Sequence, residues 1–176
     1  MKNKFRQTIF LIFINFFITP HLLCKEINFE ANFIELIDEE KRIIAKKNVK
    51  IFNENEIIYA DEMDYDKLKQ IIKAKGNIRI KDIDQNLEIV GEELIYFKNQ
   101  EKLILNKNVN INYDKKVSFK TDEVTYDKIK KQIMVSGYSN IKDNFGNKIS
   151  SEKSKFLLIE KLLKINSVEM NDEIGN

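Results

Sequence analysis

The chain has 176 residues, with 30 Lys+Arg, 28 Asp+Glu, 12 Phe and 6 Tyr, but only one each of Pro, Cys and His. That length usually makes one domain, and 43% apolar residues with charges of both signs intermixed exclude a disordered chain. Pro20, His21 and Cys24 all lie near the N-terminus, and nothing after residue 24 is Pro, His, Cys or Trp. The main body therefore has no Cys or Ser/His nucleophile system, Cys/His zinc site, disulfide framework or histidine switch, and no metal or cofactor is expected.

In chain order, the first element is an export signal. Lys2, Lys4 and Arg6 form a positive start, and an apolar run from Thr8 to Ile18, broken only by Asn15, leads to Thr19-Pro20. As a helix this run rises about 16 Å, half of a ~30 Å bilayer core, so a cleaved signal peptide fits better than a retained anchor. Cleavage is expected after Cys24, leaving a chain that starts near Lys25 and is exported to the periplasm. Lipidation of Cys24 is a third option, disfavoured by bulky Leu23 where lipoprotein signals place a small residue. Without Lys2, Lys4 and Arg6 the basic count falls to 27 against 28 acidic residues. Such an even surface lacks the clustered cations of a nucleic-acid binder, so no nucleic-acid partner is expected.

From Ala31 onward the chain repeats itself. Units begin at Ala31, Ala60, Gly91, Thr121 and Ser151, spaced 29, 31, 30 and 30 residues apart. Five positions into each stands a large apolar or aromatic residue: Leu36, Tyr65, Tyr96, Tyr126 or Phe156. Eleven further on comes Lys47, Gly76, Lys107, Gly137 or Ser167, followed in the first three units by Asn48, Asn77 and Asn108. A period of this size held over five units predicts a stacked or wound repeat architecture.

Each unit reads as two strands joined by a turn. Val49-Lys50-Ile51, Ile78-Arg79-Ile80 and Val109-Asn110-Ile111 alternate at the strand period of two. Charged loops such as 38–41, 66–69, 98–101 and 127–130 supply the turns. The residue before each Asn marks a place where positive φ is useful, a bulge or a corner. Only Glu152 to Lys164 is ambiguous between helix and strand. The lack of proline in the strands fits an extended sheet with long open edges, which are also docking surfaces.

The unit Ala60-Asp-Glu-Met-Asp-Tyr-Asp66, a charged turn, and Ile72-Lys-Ala-Lys-Gly76-Asn77-Ile78-Arg-Ile80 resembles the repeat of the OstA-like, or LptA-type, lipopolysaccharide-transport domain. The resemblance runs from about Phe29 to Val168 and is shared with the periplasmic N-terminal domain of the outer-membrane assembly protein LptD. It implies an all-β fold, an open, curved β-jellyroll of about five two-strand repeats over residues 25–170, with a polar tail at 171–176. It further implies a non-catalytic carrier whose apolar interior takes the acyl chains of lipopolysaccharide. Partners would be LptC- and LptD-type jellyroll domains, or further copies of the chain stacked head to tail. Lys47 and Lys107 stand where the motif prefers Gly, and Gly137-Tyr138-Ser139 replaces Gly-Asn-Val.

Because the chain stops at Asn176, it is expected to be either a self-standing LptA-like protein or a split or truncated LptD domain. The residues expected to line the interior are Ile51, Met63, Tyr65, Ile78, Ile80, Leu94, Tyr96, Val109, Ile111, Val124 and Tyr126. The same stripes would equally fill a closed sandwich core, as in a secreted, self-assembling structural repeat protein. The acidic pairs Asp61-Glu62, Glu92-Glu93 and Asp122-Glu123 could in principle serve a glycosidase, but their recurrence at one repeat position reads as a solvated structural stripe.

Overall fold

The computed structural model describes residues 28–165; the expected signal segment and the expected tail lie outside the described residues. The described chain is a single antiparallel meander. Its strands are β1 (Asn28–Glu30), β2 (Phe33–Ile37), β3 (Arg42–Phe52), β4 (Glu56–Asp66), β5 (Ile71–Asp82), β6 (Leu87–Phe97), β7 (Lys102–Tyr113), β8 (Val117–Asp127), β9 (Gln132–Asp143), β10 (Lys148–Leu157) and β11 (Leu162–Ile165). Each strand from β3 to β11 pairs with the next, while β1 and β2 both pair with β3. The sheet is all-β and open, its first and last described strands unpaired with each other, as the resemblance implies.

The repeat unit is a pair of strands cut at a bend. Every ladder from β3/β4 to β9/β10 shifts register near its middle, for example between Lys46 and Val49 and between Lys75 and Ile78. In β3, β5 and β7 the bend is a pair of left-handed residues: Lys47-Asn48 (φ 63° and 54°), Gly76-Asn77 (75° and 46°) and Lys107-Asn108 (66° and 52°). Gly137 holds the same place in β9 at φ 91°. The expected corner is thus real, and Lys47 and Lys107 adopt the backbone that glycine would have made less costly. On the neighbouring strands the bend falls at the unit starts Ala60, Gly91, Thr121 and Ser151.

The acidic pairs Asp61-Glu62 and Glu92-Glu93 are bend braces. Asn77 donates to Asp61 Oδ2 at 2.8 Å, and Asn108 donates to Glu92. Lys75 pairs with Glu62 at 2.9 Å and Lys107 with Glu93 at 2.6 Å, each lysine and carboxylate sitting on adjacent strands. A Cβ on Gly76 would lie 2.9 Å from the Asp61 Cβ, so the brace itself excludes a side chain there. Between β1 and β2 the corner repeats with Ala31-Asn32, where Asn32 N–H donates to the Lys47 carbonyl at 3.0 Å.

Bending every strand folds the sheet into two half-sheets whose inner faces meet. Phe29 lies 5.7 Å from Tyr65, and Phe119 lies 5.5 Å from Phe156, ring centre to ring centre, each pair spanning the interior. The last unit is strand, not helix: Ser151, Ser154, Phe156 and Leu158 are buried between exposed or half-buried neighbours. Leu36 departs from the repeat. Its sister residues Tyr65, Tyr96, Tyr126 and Phe156 are buried, but Leu36 is 52% exposed because β2 lies at the sheet's end.

Candidate functional site

All eleven residues expected to line the interior point inward, and none is more than 5% exposed. Ile78 and Ile80 come from β5, Leu94 and Tyr96 from β6, Val109 and Ile111 from β7, and Val124 and Tyr126 from β8. Alternation places them on one face, and the bends keep that face inward over both half-sheets. They form one apolar body with further inward residues such as Ile89, Leu105, Phe119 and Ile133.

The two half-sheets meet again opposite the bends, where the hairpin turns form two lips. One lip carries the turns 38–41, 67–70, 98–101, 128–131 and 158–161; the other carries 53–55, 83–86, 114–116 and 144–147. The lips are in contact along a polar seam. Lys128 of the first donates to Glu56 Oε2 of the second at 2.6 Å. Tyr126 donates its hydroxyl to Asp82 Oδ2 at 2.7 Å, and the Tyr113 hydroxyl donates to the Leu158 carbonyl at 3.1 Å.

Tyrosines tie this seam to the interior. Each ring body lies in the core and each hydroxyl reaches the lip, which suits an amphipathic side chain at such a boundary. The Tyr65 hydroxyl donates to Gln70 at 3.1 Å, and the Tyr96 hydroxyl donates to Glu101 at 3.0 Å. Lysines one repeat later cover the rings: Lys98 Nζ is 5.2 Å from the Tyr65 ring centre, and Lys128 Nζ is 5.2 Å from that of Tyr96. Lys128 also reaches Glu101 at 3.0 Å, so this cation holds two carboxylates at once.

Burial dominates the electrostatics. It pushes the Glu56 carboxyl above its ordinary value even though Lys128 pulls it back. Burial alone would lower Lys128, but Glu56 and Tyr96 outweigh it and hold the ammonium above its ordinary value. Tyr96 and Tyr126 are both raised, first by burial, and Tyr126 then by its bond to Asp82. The second Glu56 oxygen, Oε1, is buried without a hydrogen-bond partner. The site is thus a packed apolar core behind a seam of ionic and phenolic groups, and among the described residues no group of three or more His, Cys, Asp or Glu could hold a metal ion.

The expected interior residues are brought together, but the seam was missed. Its signal lay in two patterns. Counting back by two from Ile58 gives Glu56, and counting on by two from Ile80 gives Asp82, so charged residues occupy buried positions. Tyr65, Tyr96 and Tyr126 are also each followed two residues later by Lys67, Lys98 or Lys128.

Comparison with known proteins adds the family. A family model described as OstA-like protein matches residues 30–156. No curated protein matches the chain. Among solved structures, the chain is similar to the crystal structure of LptH, the LptA homologous periplasmic component of the conserved lipopolysaccharide transport device from Pseudomonas aeruginosa. Identity is 10% and the TM-score 0.35, over 85% of this chain and 96% of that one.

Proposed function

Since the chain belongs to the OstA-like family, we propose that it is a non-enzymatic periplasmic protein that shields the acyl chains of lipopolysaccharide in its apolar interior and passes them between membranes by stacking with related jellyroll domains. The observation that carries this reading is the pairing of a continuous apolar interior with a polar seam. Each methylene moved from water to such an interior is worth about 0.8 kcal/mol, so several acyl chains bind usefully without a charged pocket. Acyl chains enter where the lips part. The seam residues Glu56, Asp82, Lys128 and Tyr126 regain water when exposed, whereas an apolar seam would resist opening in proportion to its area.

Stacking uses the sheet ends. Among the described residues the outer edges of β1, β2 and β11 have no paired strand, and these edges meet neighbours of LptC or LptD type, or further copies of this chain. In this reading the folded domain spans residues 25–170 behind a signal peptide ending at Cys24. A split N-terminal domain of LptD would use the same interior and the same ends.

Binding of fluorescent lipopolysaccharide to the purified chain tests the proposal. Wild-type protein takes it up, and Tyr96→Asp or Ile80→Asp abolishes uptake, because an unpaired carboxylate is costly in an apolar interior. A folded Ile80→Asp variant that binds normally would overturn it.

A further inference from the structure

The two ends of the sheet are the halves of one more ladder. Inside the chain, the first residue after each turn of the first lip pairs with the last residue before the next such turn: Arg42 with Asp66, Ile71 with Phe97, Lys102 with Asp127 and Gln132 with Leu157. Leu162 opens β11 after the last of those turns, and Ile37 closes β2 before the first. Neither has this kind of partner, since the outer edges of β2 and β11 are unpaired among the described residues.

The missing neighbour leaves apolar side chains half covered. Ile34 and Leu36 lie at inward positions of β2 yet are 47% and 52% exposed, and Leu163 and Ile165 are only partly buried at the other end of the core. Their counterparts inside the sheet, Met63 and Tyr65 for the first pair and Ile133 and Val135 for the second, are buried because a strand lies on either side.

The outer face of the same edges carries unmatched charge. Lys164 stands directly opposite Lys155, a like-charge pair that costs stability. Glu35 of β2 is exposed, and among the described residues neither it nor Lys164 has an ionic partner.

We propose that β11 of one copy pairs with β2 of a second copy in the register that the internal ladders set. Leu162 then stands opposite Ile37, Leu163 opposite Leu36, Lys164 opposite Glu35 and Ile165 opposite Ile34. The inward pairs carry the apolar interior across the joint, and Glu35 comes beside the two lysines that repel each other. The turns continue as well. Within the chain, Lys67 N–H donates to the Lys41 carbonyl and Leu158 N–H to that of Lys131; the same step brings Asp38 N–H of the second copy to the Lys161 carbonyl. The two edges differ, so copies add in one direction and the contact does not close on itself. Both halves of the match are read from this chain, which selects a second copy over a different jellyroll. The inference rests on the stacking part of the carrier reading and names its partner.

The test uses the exported chain freed of residues 1–24, which has no cysteine. Glu35→Cys and Lys164→Cys chains, mixed under mild oxidation, form a disulfide-linked dimer of one of each, because directly opposite residues lie within disulfide reach. Either variant alone forms far less. In sedimentation, Glu35→Lys and Lys164→Glu each weaken self-association at least about threefold, and the chain carrying both recovers it. No mixed disulfide, association unmoved by either reversal, or a folded chain that stays monomeric at high concentration would each overturn the proposal. A monomer that still takes up fluorescent lipopolysaccharide would overturn it and leave the carrier reading standing. Stacks in this register that take up none would uphold the joint and sink the carrier reading.

Discussion

The ammonium of Lys128 lies 2.6 Å from a carboxylate oxygen of Glu56 although 72 residues separate them, and both side chains are nearly buried. This pair joins the two lips at an edge where the half-sheets can part without breaking a strand ladder. Buried ion pairs are weak sources of stability, and replacing both partners with apolar residues is often neutral or stabilising. The double variant Glu56→Leu with Lys128→Met is therefore expected to unfold at the same or higher denaturant concentration while taking up lipopolysaccharide more slowly. Lys128→Met alone strands Glu56 and should cost about 3–5 kcal/mol. Denaturant titration and uptake kinetics check both; a double variant that loads as fast as wild type would remove the seam as the entrance.

The direction of the Glu56 shift fixes a pH dependence. Its carboxyl titrates above its ordinary value of 4.5 in the folded chain, first because burial disfavours the ion. A folded state that binds this proton more tightly gains stability as pH falls through the raised value, and the gain levels off below 4.5. Asp64, Asp66 and Asp143, held below their ordinary 3.8, act oppositely, and their contribution is lost only at more acid pH. Melting curves of wild type and Glu56→Gln between pH 7.5 and 4.5 isolate the effect, with the difference shifting in favour of wild type on acidification.

The bends make a contrast between two glycines. Gly137 has φ 91° and nothing within 4 Å of where a Cβ would sit, so Gly137→Ala should cost only the backbone penalty, about 1–2 kcal/mol. Gly76 has φ 75° and Asp61 packed against it, so Gly76→Ala should cost at least about 1 kcal/mol more. Equal losses in denaturant titrations would mean that the Asp61 brace is not fixed.

Much of this was legible in the sequence, and the reason is periodicity. Alternation around Ile78 and Ile80 identified the inward face, and the Lys/Gly-Asn step shared by the first three units identified the bends, because both are local rules that recur from unit to unit. The seam was not legible in the same way. Glu56 meets Lys128 only after the whole sheet has folded over, and the partners Asp82 and Tyr126 lie 44 residues apart, about one and a half repeats. Self-alignment reveals what units share, whereas contacts between half-sheets depend on the slant of one against the other. The Glu152 to Lys164 segment was ambiguous for a simpler reason: Leu157, Leu162 and Leu163 are good helix formers, and the pairing of β10 with β9 and of β11 with β10 overrides that preference.

The sheet ends carry the stacking part of the account. Ile165 pairs with Ser154 at the edge formed by β11, and the outer side of that strand faces no partner among the described residues. Each added backbone hydrogen bond to a neighbour is worth about 1 kcal/mol net. Ile165→Pro removes a donor and stiffens the strand, so concentration-dependent oligomers seen by sedimentation should shift to monomer. Oligomers that persist unchanged would move the contact away from this edge.

The most direct measurement asks where lipopolysaccharide sits. A photoreactive phenylalanine analogue at position 96, whose ring is buried in the interior, is compared with the same analogue at position 73, where Lys73 is exposed on the outer face of the same pair of strands. On irradiation with lipopolysaccharide the account predicts an adduct at 96 and none at 73. An adduct at 73 without one at 96 would contradict an interior route for the acyl chains.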